Sequence, residues 1–160
     1  ILVIEDTQSI REELKDILGF EGMEVVTAVN GQEGIDRAKE YSPDLILCDI
    51  MMPIKDGFQV FNELQHDGIL KDIPFIFLTA KAKDENVREG MILGADDYIS
   101  KPFNINLLIN SIKSRLAKAA SRKYSEKEKR ETLQRNISQA IPHELLTPLN
   151  AIIGLSSILM

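Results

Sequence analysis

The chain has 160 residues, a formal net charge of −6 and one cysteine, which suits one ordinary domain with a short extension. Residues 1–116 carry 12 Lys and Arg against 21 Asp and Glu, a net charge of −9, whereas residues 117–160 carry 7 against 4, a net charge of +3. The acidic first part argues against nucleic acid as its direct partner, because phosphates are neutralised by Lys and Arg.

In chain order, short apolar runs alternate with amphipathic stretches. The runs predict five strands, at residues 1–4, 25–26, 45–47, 75–78 and 98–99, and the stretches predict helices near 9–20, 31–41, 57–66, 85–93 and from 105 onward. Several runs are continuously apolar, as in strands covered on both faces. This alternation predicts an α/β fold with a five-stranded parallel doubly wound sheet. For the strand order we expect the flavodoxin-like arrangement 2-1-3-4-5, in which the first and third strands are neighbours.

The last helical pattern continues past the first domain. Residues 117–132 contain no glycine or proline and are dense in Lys, Arg and Glu, so we predict one continuous helix from about Ile105 to Ile141. Apolar residues then recur every fourth position, at Leu133, Ile137, Ile141 and Leu145. A helix striped in this way needs a partner, and we expect a coiled coil that joins two copies of the chain. A monomeric solvated helix is the alternative.

Polar residues stand where four of the predicted strands end. Glu5 and Asp6 follow the first strand, Asp49 the third, Thr79 the fourth and Lys101 the fifth. These ends meet at one edge of a parallel sheet, so three carboxylates are expected to converge there. Converging carboxylates repel one another unless a cation is present, and an oxygen-only set of ligands favours Mg²⁺.

This edge also suits phosphoryl transfer, which needs mainly positioning and charge stabilisation. Asp49, at the end of the central strand, is the natural nucleophile, while Lys101 and Thr79 are placed to contact phosphoryl oxygens. Each residue alone has an ordinary explanation as a helix cap, a turn residue or a solvated loop residue. The functional interpretation rests on the four strand ends taken together.

Residues 1–116 closely resemble the response-regulator receiver domain. The resemblance rests on Glu5-Asp6, on Asp49 with Met51, Met52, Pro53 and Gly57, on Leu78-Thr79-Ala80, on Gly94-Ala95-Asp96-Asp97-Tyr98 and on Lys101-Pro102-Phe103. It implies that Asp49 is phosphorylated and that Mg²⁺ is held by Glu5, Asp6, Asp49 and the Met51 carbonyl. It further implies that Thr79 and Lys101 contact the phosphoryl group, that the bond before Pro102 is cis, and that Tyr98 is a switch residue, for which ordinary half-buried packing is the alternative.

A second motif lies near the end of the chain. On a helix, His143 and Thr147 share a face, and Glu144 lies beside the histidine. The stretch resembles the phosphoacceptor box of sensor histidine kinases, which implies that His143 is phosphorylated, that Glu144 is the acid/base and that Thr147 positions water. Two residues depart from that box: Leu146 stands in place of the usual arginine, and Pro142 in place of a small residue.

The combined interpretation is a two-component signalling hybrid. It has a receiver domain at 1–116, a connecting signalling helix at 117–132 and, at 133–160, part of the first helix of a histidine-kinase dimerisation domain. A phosphodonor histidine kinase or phosphotransfer protein is the expected partner of Asp49. No ATP-binding domain lies within the 160 residues, so this segment is not expected to phosphorylate His143 from ATP by itself.

Two other functions compete with this one. Flavin- or nucleotide-binding domains of similar architecture need a glycine- or hydroxyl-rich loop after the first strand, where this chain has Glu5 and Asp6. A receiver-like module that takes no phosphate and acts through dimer contacts is the second.

The cellular location is predicted from two features. The lone Cys48 is typical of the reducing cytoplasm, and no apolar run is long enough to span a bilayer. The start at Ile1 inside an apolar run and the end at Met160 inside a helical pattern predict a piece of a longer protein.

Overall fold

The computed structural model describes residues 1–80, 88 and 91–140. The predicted strands and most predicted helices are present, although the helix predicted near 85–93 falls largely outside these residues. The elements are β1 (Leu2–Ile4), α1 (Gln8–Phe20), β2 (Val26–Ala28), α2 (Gly31–Tyr41), β3 (Ile46–Asp49), α3 (Gly57–Gln65), a 3-10 turn (Leu70–Asp72), β4 (Phe75–Thr79), β5 (Asp97–Ser100) and α4 (Ile105–Ala140).

The sheet has five strands in the order β2-β1-β3-β4-β5, and every neighbouring pair is parallel. The predicted fold class and strand order are therefore confirmed. Ile4 of β1 pairs with Cys48 of β3, so the residues that follow β1 lie beside the end of β3. Thr79 of β4 pairs with Ser100 of β5. All of these strand ends lie on one edge of the sheet.

Apolar side chains cover both faces of the sheet. Leu47 packs on the face covered by α1 and the start of α4, while its neighbour Cys48 packs on the face covered by α2 and α3, because successive side chains of a strand point in opposite directions. Cys48 is fully buried. Burial raises the pKa of its thiol well above the ordinary value, so the group stays protonated.

Helix α3 begins at a capping box beside the end of β3. The Asp56 carboxylate accepts a hydrogen bond from the Gln59 N–H at 2.8 Å, and the Gln59 side chain accepts one from the Asp56 N–H at 2.9 Å. Such reciprocal bonds satisfy two N–H groups that the first turn of a helix leaves without partners. They fix the start of α3, and with it Gly57, against the loop that follows Asp49.

The chain divides into two units, Ile1–Ala119 and Ala120–Met160. In the first unit α4 buries Leu108, Ile109 and Ile112 against the sheet. In the second unit every residue from 120 to 140 is exposed. The helix is continuous to Ala140, as predicted, while Ile141 lies outside the described residues. Within the described part of the chain, no helix combines the length and apolar character needed to cross a membrane.

Ile54, in the loop between β3 and α3, has a backbone conformation that suits its side chain poorly. Its φ is +72°, and its side chain is 74% exposed. A β-branched residue in the left-handed region is strained, whereas asparagine tolerates that region. We expect Ile54→Asn to raise the free energy of unfolding by about 1 kcal/mol, measured by urea denaturation.

The matched control for Ile54 is Ile69, which is 78% exposed and has φ −103°. Ile69→Asn removes a similar exposed side chain but relieves no strain, so the free energy of unfolding should stay within about 0.5 kcal/mol of the wild-type value. Equal effects of the two substitutions would contradict the assignment of strain to Ile54.

Candidate functional site

The candidate site lies at the carboxyl edge of the sheet. Glu5 follows β1, Asp49 and Thr79 are the last residues of β3 and β4, and Lys101 follows β5. Hydrogen bonds within the sheet hold these ends: the Glu5 N–H donates to the Ala28 carbonyl at 3.1 Å, and the Lys101 N–H donates to the Thr79 carbonyl at 2.6 Å. The residues singled out in the sequence are therefore held at one edge by backbone pairing.

Three carboxylates come together at this edge. Glu5, Asp6 and Asp49 each offer an oxygen atom, and these atoms all lie within 4.8 Å of one another. Glu5 is 0% exposed and Asp49 is 5% exposed, whereas Asp6 is exposed to solvent. The predicted convergence of the three acids is present in the structure.

The Lys101 ammonium group lies between the two buried carboxylates. Its Nζ is 2.5 Å from Glu5 Oε2 and 3.2 Å from Asp49 Oδ1, and its side chain is 13% exposed. The peptide bond between Lys101 and Pro102 is cis, as the family resemblance implied. Because Lys101 touches both acids, it supplies the positive charge nearest to the candidate phosphoacceptor among the described ion pairs.

Burial is the main influence on the protonation of the two buried acids, Glu5 and Asp49. It raises the pKa of the Asp49 carboxyl above its ordinary value, although Lys101 and the Met51 N–H act in the opposite direction. Burial likewise raises the pKa of Glu5, against hydrogen bonds from Lys101 and from the Thr7 N–H. The ionised cluster is thus costly to hold in the absence of further positive charge.

These raised pKa values predict a pH dependence of stability in metal-free buffer. A carboxyl whose pKa is higher in the folded state contributes stability that is present below its unfolded pKa of about 4 and is lost as the pH rises through the folded pKa. The wild-type protein should therefore gain stability relative to Asp49→Asn as the pH falls from 7 toward 4, with a slope of at most about 1.4 kcal/mol per pH unit.

Urea denaturation of both proteins in EDTA measures this difference at each pH. Exposed acids with lowered pKa values, such as Asp67, contribute equally to the stability of both proteins. Their contributions therefore cancel in the difference between the two free energies of unfolding. A difference that is constant with pH, or that shifts in favour of the asparagine variant in acid, would contradict the raised pKa of Asp49.

The other predicted site residues have varied positions. Met51 follows Asp49 in an exposed loop, and its N–H donates to the Asp49 carboxylate. The Thr79 side chain is buried. Tyr98 is half-buried, and its ring stacks on Phe77 with a centroid distance of 5.4 Å. The residues His143, Glu144 and Thr147 lie outside the described part of the chain.

Sequence reasoning did not identify Arg11, which contacts the acidic loop. Its Nη1 donates to the Glu5 carbonyl at 2.8 Å and to the Asp6 carbonyl at 3.2 Å. A cation shortly after an acid pair is the only signal in the sequence, and it does not show that the guanidinium binds backbone oxygens. A Cβ atom at Gly57 would lie 2.5 Å from the Asp49 carbonyl oxygen, and this close approach was likewise not predicted.

The chemistry of the site fits a hard divalent cation. When ionised, the three carboxylates and the Lys101 ammonium leave a net charge of −2. All three candidate ligands are oxygen atoms, which Mg²⁺ prefers, and Asp6 is exposed to solvent. Glu5, Asp6 and Asp49 are the side chains that would hold such an ion.

Comparison with known proteins identifies signalling relatives. Residues 1–113 match the Response regulator receiver domain family. The chain is 39% identical over 114 residues to the phosphate regulon transcriptional regulatory protein PhoB of Pseudomonas aeruginosa, covering 71% of this chain and 50% of that protein. It is 37% identical over 122 residues to the polar-differentiation response regulator DivK of Brucella anthropi, covering 74% of this chain and 97% of that protein.

A solved structure has the same fold. The receiver domain of a signal transduction histidine kinase from Syntrophus aciditrophicus superposes with a TM-score of 0.68 at 34% identity, covering 72% of this chain and 88% of that chain. The present chain spans about half the length of PhoB. The family match over residues 1–113 covers the part of the chain that carries the acidic cluster.

Proposed function

Because this chain belongs to the response regulator receiver domain family of two-component signalling, we propose that Asp49 accepts a phosphoryl group in a magnesium-dependent step. One observation carries the proposal: Asp49 is a buried carboxylate within 4.8 Å of two further acids and 3.2 Å from the Lys101 ammonium. Receiver domains in general bind Mg²⁺ at an acidic pocket and interact with phosphodonor kinases or phosphotransfer proteins. A cytoplasmic donor of that kind is the proposed partner.

The proposed reaction is a single displacement at phosphorus. An oxygen of Asp49 forms a bond to phosphorus, while the bond from phosphorus to the donor breaks and the donor leaves with that electron pair. Lys101 and Thr79 are proposed to contact the phosphoryl oxygens and to offset their negative charge. Glu5, Asp6, Asp49 and the Met51 carbonyl are proposed to hold Mg²⁺, which when bound supplies further positive charge beside those oxygens.

The test is labelling by acetyl phosphate with and without Mg²⁺. We expect wild-type protein to form one acyl phosphate per chain with Mg²⁺, and Asp49→Asn to form none, because a neutral amide lacks the anionic carboxylate oxygen that attacks phosphorus. Asp44→Asn is the matched control, since Asp44 is exposed just before β3 and should leave labelling unchanged. Equal labelling of wild-type and Asp49→Asn would overturn the proposal and favour the interaction module that takes no phosphate.

Tyr98 and Thr79 are proposed to report phosphorylation to the rest of the domain. They lie on adjacent strands, and the Tyr98 ring is half-buried against Phe77. A shift of Thr79 toward the phosphoryl group would open space into which Tyr98 can turn. Tyrosine fluorescence should change on addition of beryllofluoride and Mg²⁺, and Tyr98→Phe separates this signal from that of other tyrosines.

The second part of the proposal concerns the output. We propose that the domain at 1–116 regulates an attached histidine kinase core through the connecting helix at 117–132. Within the partial dimerisation helix at 133–160, His143 is the proposed phosphoacceptor, Glu144 the acid/base and Thr147 the residue that positions water. The unbroken helix Ile105–Ala140 supports this, and a receiver domain of a histidine kinase is among the relatives.

A dimer through the C-terminal helix completes the proposal. Leu133 and Ile137 lie four residues apart and are 60% and 52% exposed. Exposed apolar residues at this spacing are expected on a helix face that packs against a second helix. Sedimentation at tens of micromolar should give a dimer, and Ile137→Asp should shift it toward monomer. A wild-type monomer at that concentration would remove this part of the proposal while leaving phosphorylation of Asp49 intact.

A further inference from the structure

Arg11, in the first turn of α1, binds the backbone of the loop that carries two of the three acids. Its Nη1 is 2.8 Å from the Glu5 carbonyl oxygen and 3.2 Å from the Asp6 carbonyl oxygen. The arginine side chain is half-buried, so burial restricts its freedom to leave the loop. One guanidinium nitrogen thus joins two successive carbonyls of the acidic loop to the helix.

The three acids differ in how their carboxylates are held. Glu5 is buried, and its side chain accepts hydrogen bonds from the Thr7 N–H at 3.0 Å and from Lys101 at 2.5 Å. Asp49 is buried beside Lys101 and the Met51 N–H. Asp6 is exposed, so packing does not fix its side chain. The direction of the Asp6 carboxylate therefore depends mainly on the conformation of its own backbone.

We propose that Arg11 is a positioning residue for the metal site, holding the Asp6 backbone so that its carboxylate faces Glu5 and Asp49. The inference rests on the proposed function. Groups that orient metal ligands without touching the metal commonly change metal affinity by about 10- to 100-fold when removed. Arg11 meets that description through two backbone carbonyls.

The direction of the change in magnesium affinity shows whether Arg11 acts by positioning Asp6 or through its positive charge. The cluster is negative, so removing the positive charge of Arg11 would by electrostatics alone strengthen the binding of a divalent cation. Loss of positioning has the opposite effect, since the Asp6 carboxylate would spend less time facing the other acids. A weakening of magnesium binding in Arg11→Gln therefore cannot arise from the lost charge.

The experiment is calorimetric titration of the full chain with MgCl₂, without a phosphoryl donor. Arg11→Gln should raise the Kd for Mg²⁺ by about tenfold, and Arg11→Lys, which keeps the charge and one reaching donor group, should recover part of the affinity.

Arg37→Gln is the matched control. Arg37 donates to the Glu33 side chain at 3.1 Å, so the substitution removes the same charge without touching the acidic loop, and the Kd for Mg²⁺ should stay within twofold. Thermal unfolding in EDTA establishes that each variant is folded at the titration temperature.

Two failures can be told apart. An Arg11→Gln variant that binds Mg²⁺ as tightly as wild type, or more tightly, overturns this inference alone. Failure of the wild-type protein to bind Mg²⁺ overturns the proposed function as well.

Discussion

Replacing Lys101 by methionine is expected to lower the free energy of unfolding by about 3–5 kcal/mol at pH 7 in the absence of Mg²⁺. Lys101 Nζ contacts both Glu5 and Asp49, and all three side chains are largely buried. Removing one partner of a buried ionic group leaves the remaining charges in a poor solvent. The methionine side chain fills similar space, so the loss measures charge rather than volume.

The Lys101→Met variant should regain part of its lost stability under two conditions. Added Mg²⁺ should stabilise it more than it stabilises wild type, because the cation replaces part of the missing charge. Lowering the pH from 7 to 5 should also narrow its deficit, since protonation removes the repulsion between the two buried acids. Urea denaturation with EDTA or MgCl₂ at each pH measures both effects.

The same substitution tests the contribution of Lys101 to phosphoryl transfer. Losing one group that stabilises developing charge commonly costs 10²–10³-fold in rate, and we expect acetyl phosphate labelling to slow by about that factor. Lys113→Met is the control: Lys113 is 57% exposed and pairs with Glu21 at 2.8 Å, and such surface pairs contribute at most about 1 kcal/mol. Equal effects at the two lysines would rule out a special position for Lys101.

The second large effect is expected at Gly57, the first residue of α3. A Cβ atom built there would lie 2.5 Å from the Asp49 carbonyl oxygen and 2.9 Å from the Ile50 Cα. Both neighbours are backbone atoms, so neither can move aside as a flexible side chain would. Gly57→Ala should therefore lower the free energy of unfolding by about 3 kcal/mol. It should also displace Asp49, the candidate phosphoacceptor.

The control for Gly57 lies in α1. A Cβ atom at Gly19 would meet nothing within 4 Å, so Gly19→Ala should raise the free energy of unfolding by about 0.5–1 kcal/mol through its higher helix propensity. Urea denaturation compares the two variants, and labelling at saturating acetyl phosphate shows whether Gly57→Ala also slows transfer. A neutral Gly57→Ala would mean that the loop after β3 can shift freely, contrary to its hydrogen bond from the Gly57 N–H to the Ile50 carbonyl at 2.9 Å.

Some element boundaries differed from the sequence-based prediction. The second strand was predicted at 25–26 from its two valines, whereas β2 spans Val26–Ala28. Its extent is determined by pairing with β1, in which Leu2 pairs with Val26 and Ile4 with Ala28. Pairing partners distant in sequence leave no mark on the local apolar pattern, so a polar residue such as Thr27 was missed.

The amino-acid sequence by itself determined the topology of the sheet and the set of acids at its carboxyl edge. Continuous apolar runs require strands covered on both faces, and the acids that end those runs must then meet. Only the tertiary structure decided that Glu5 and Asp49 are buried, that Lys101 lies between them, and that Arg11 and Gly57 contact the loops carrying the acids. The Lys101 contacts join side chains from separate strand ends, and the Arg11 and Gly57 contacts reach backbone atoms of other residues. No periodicity in the sequence encodes such pairs.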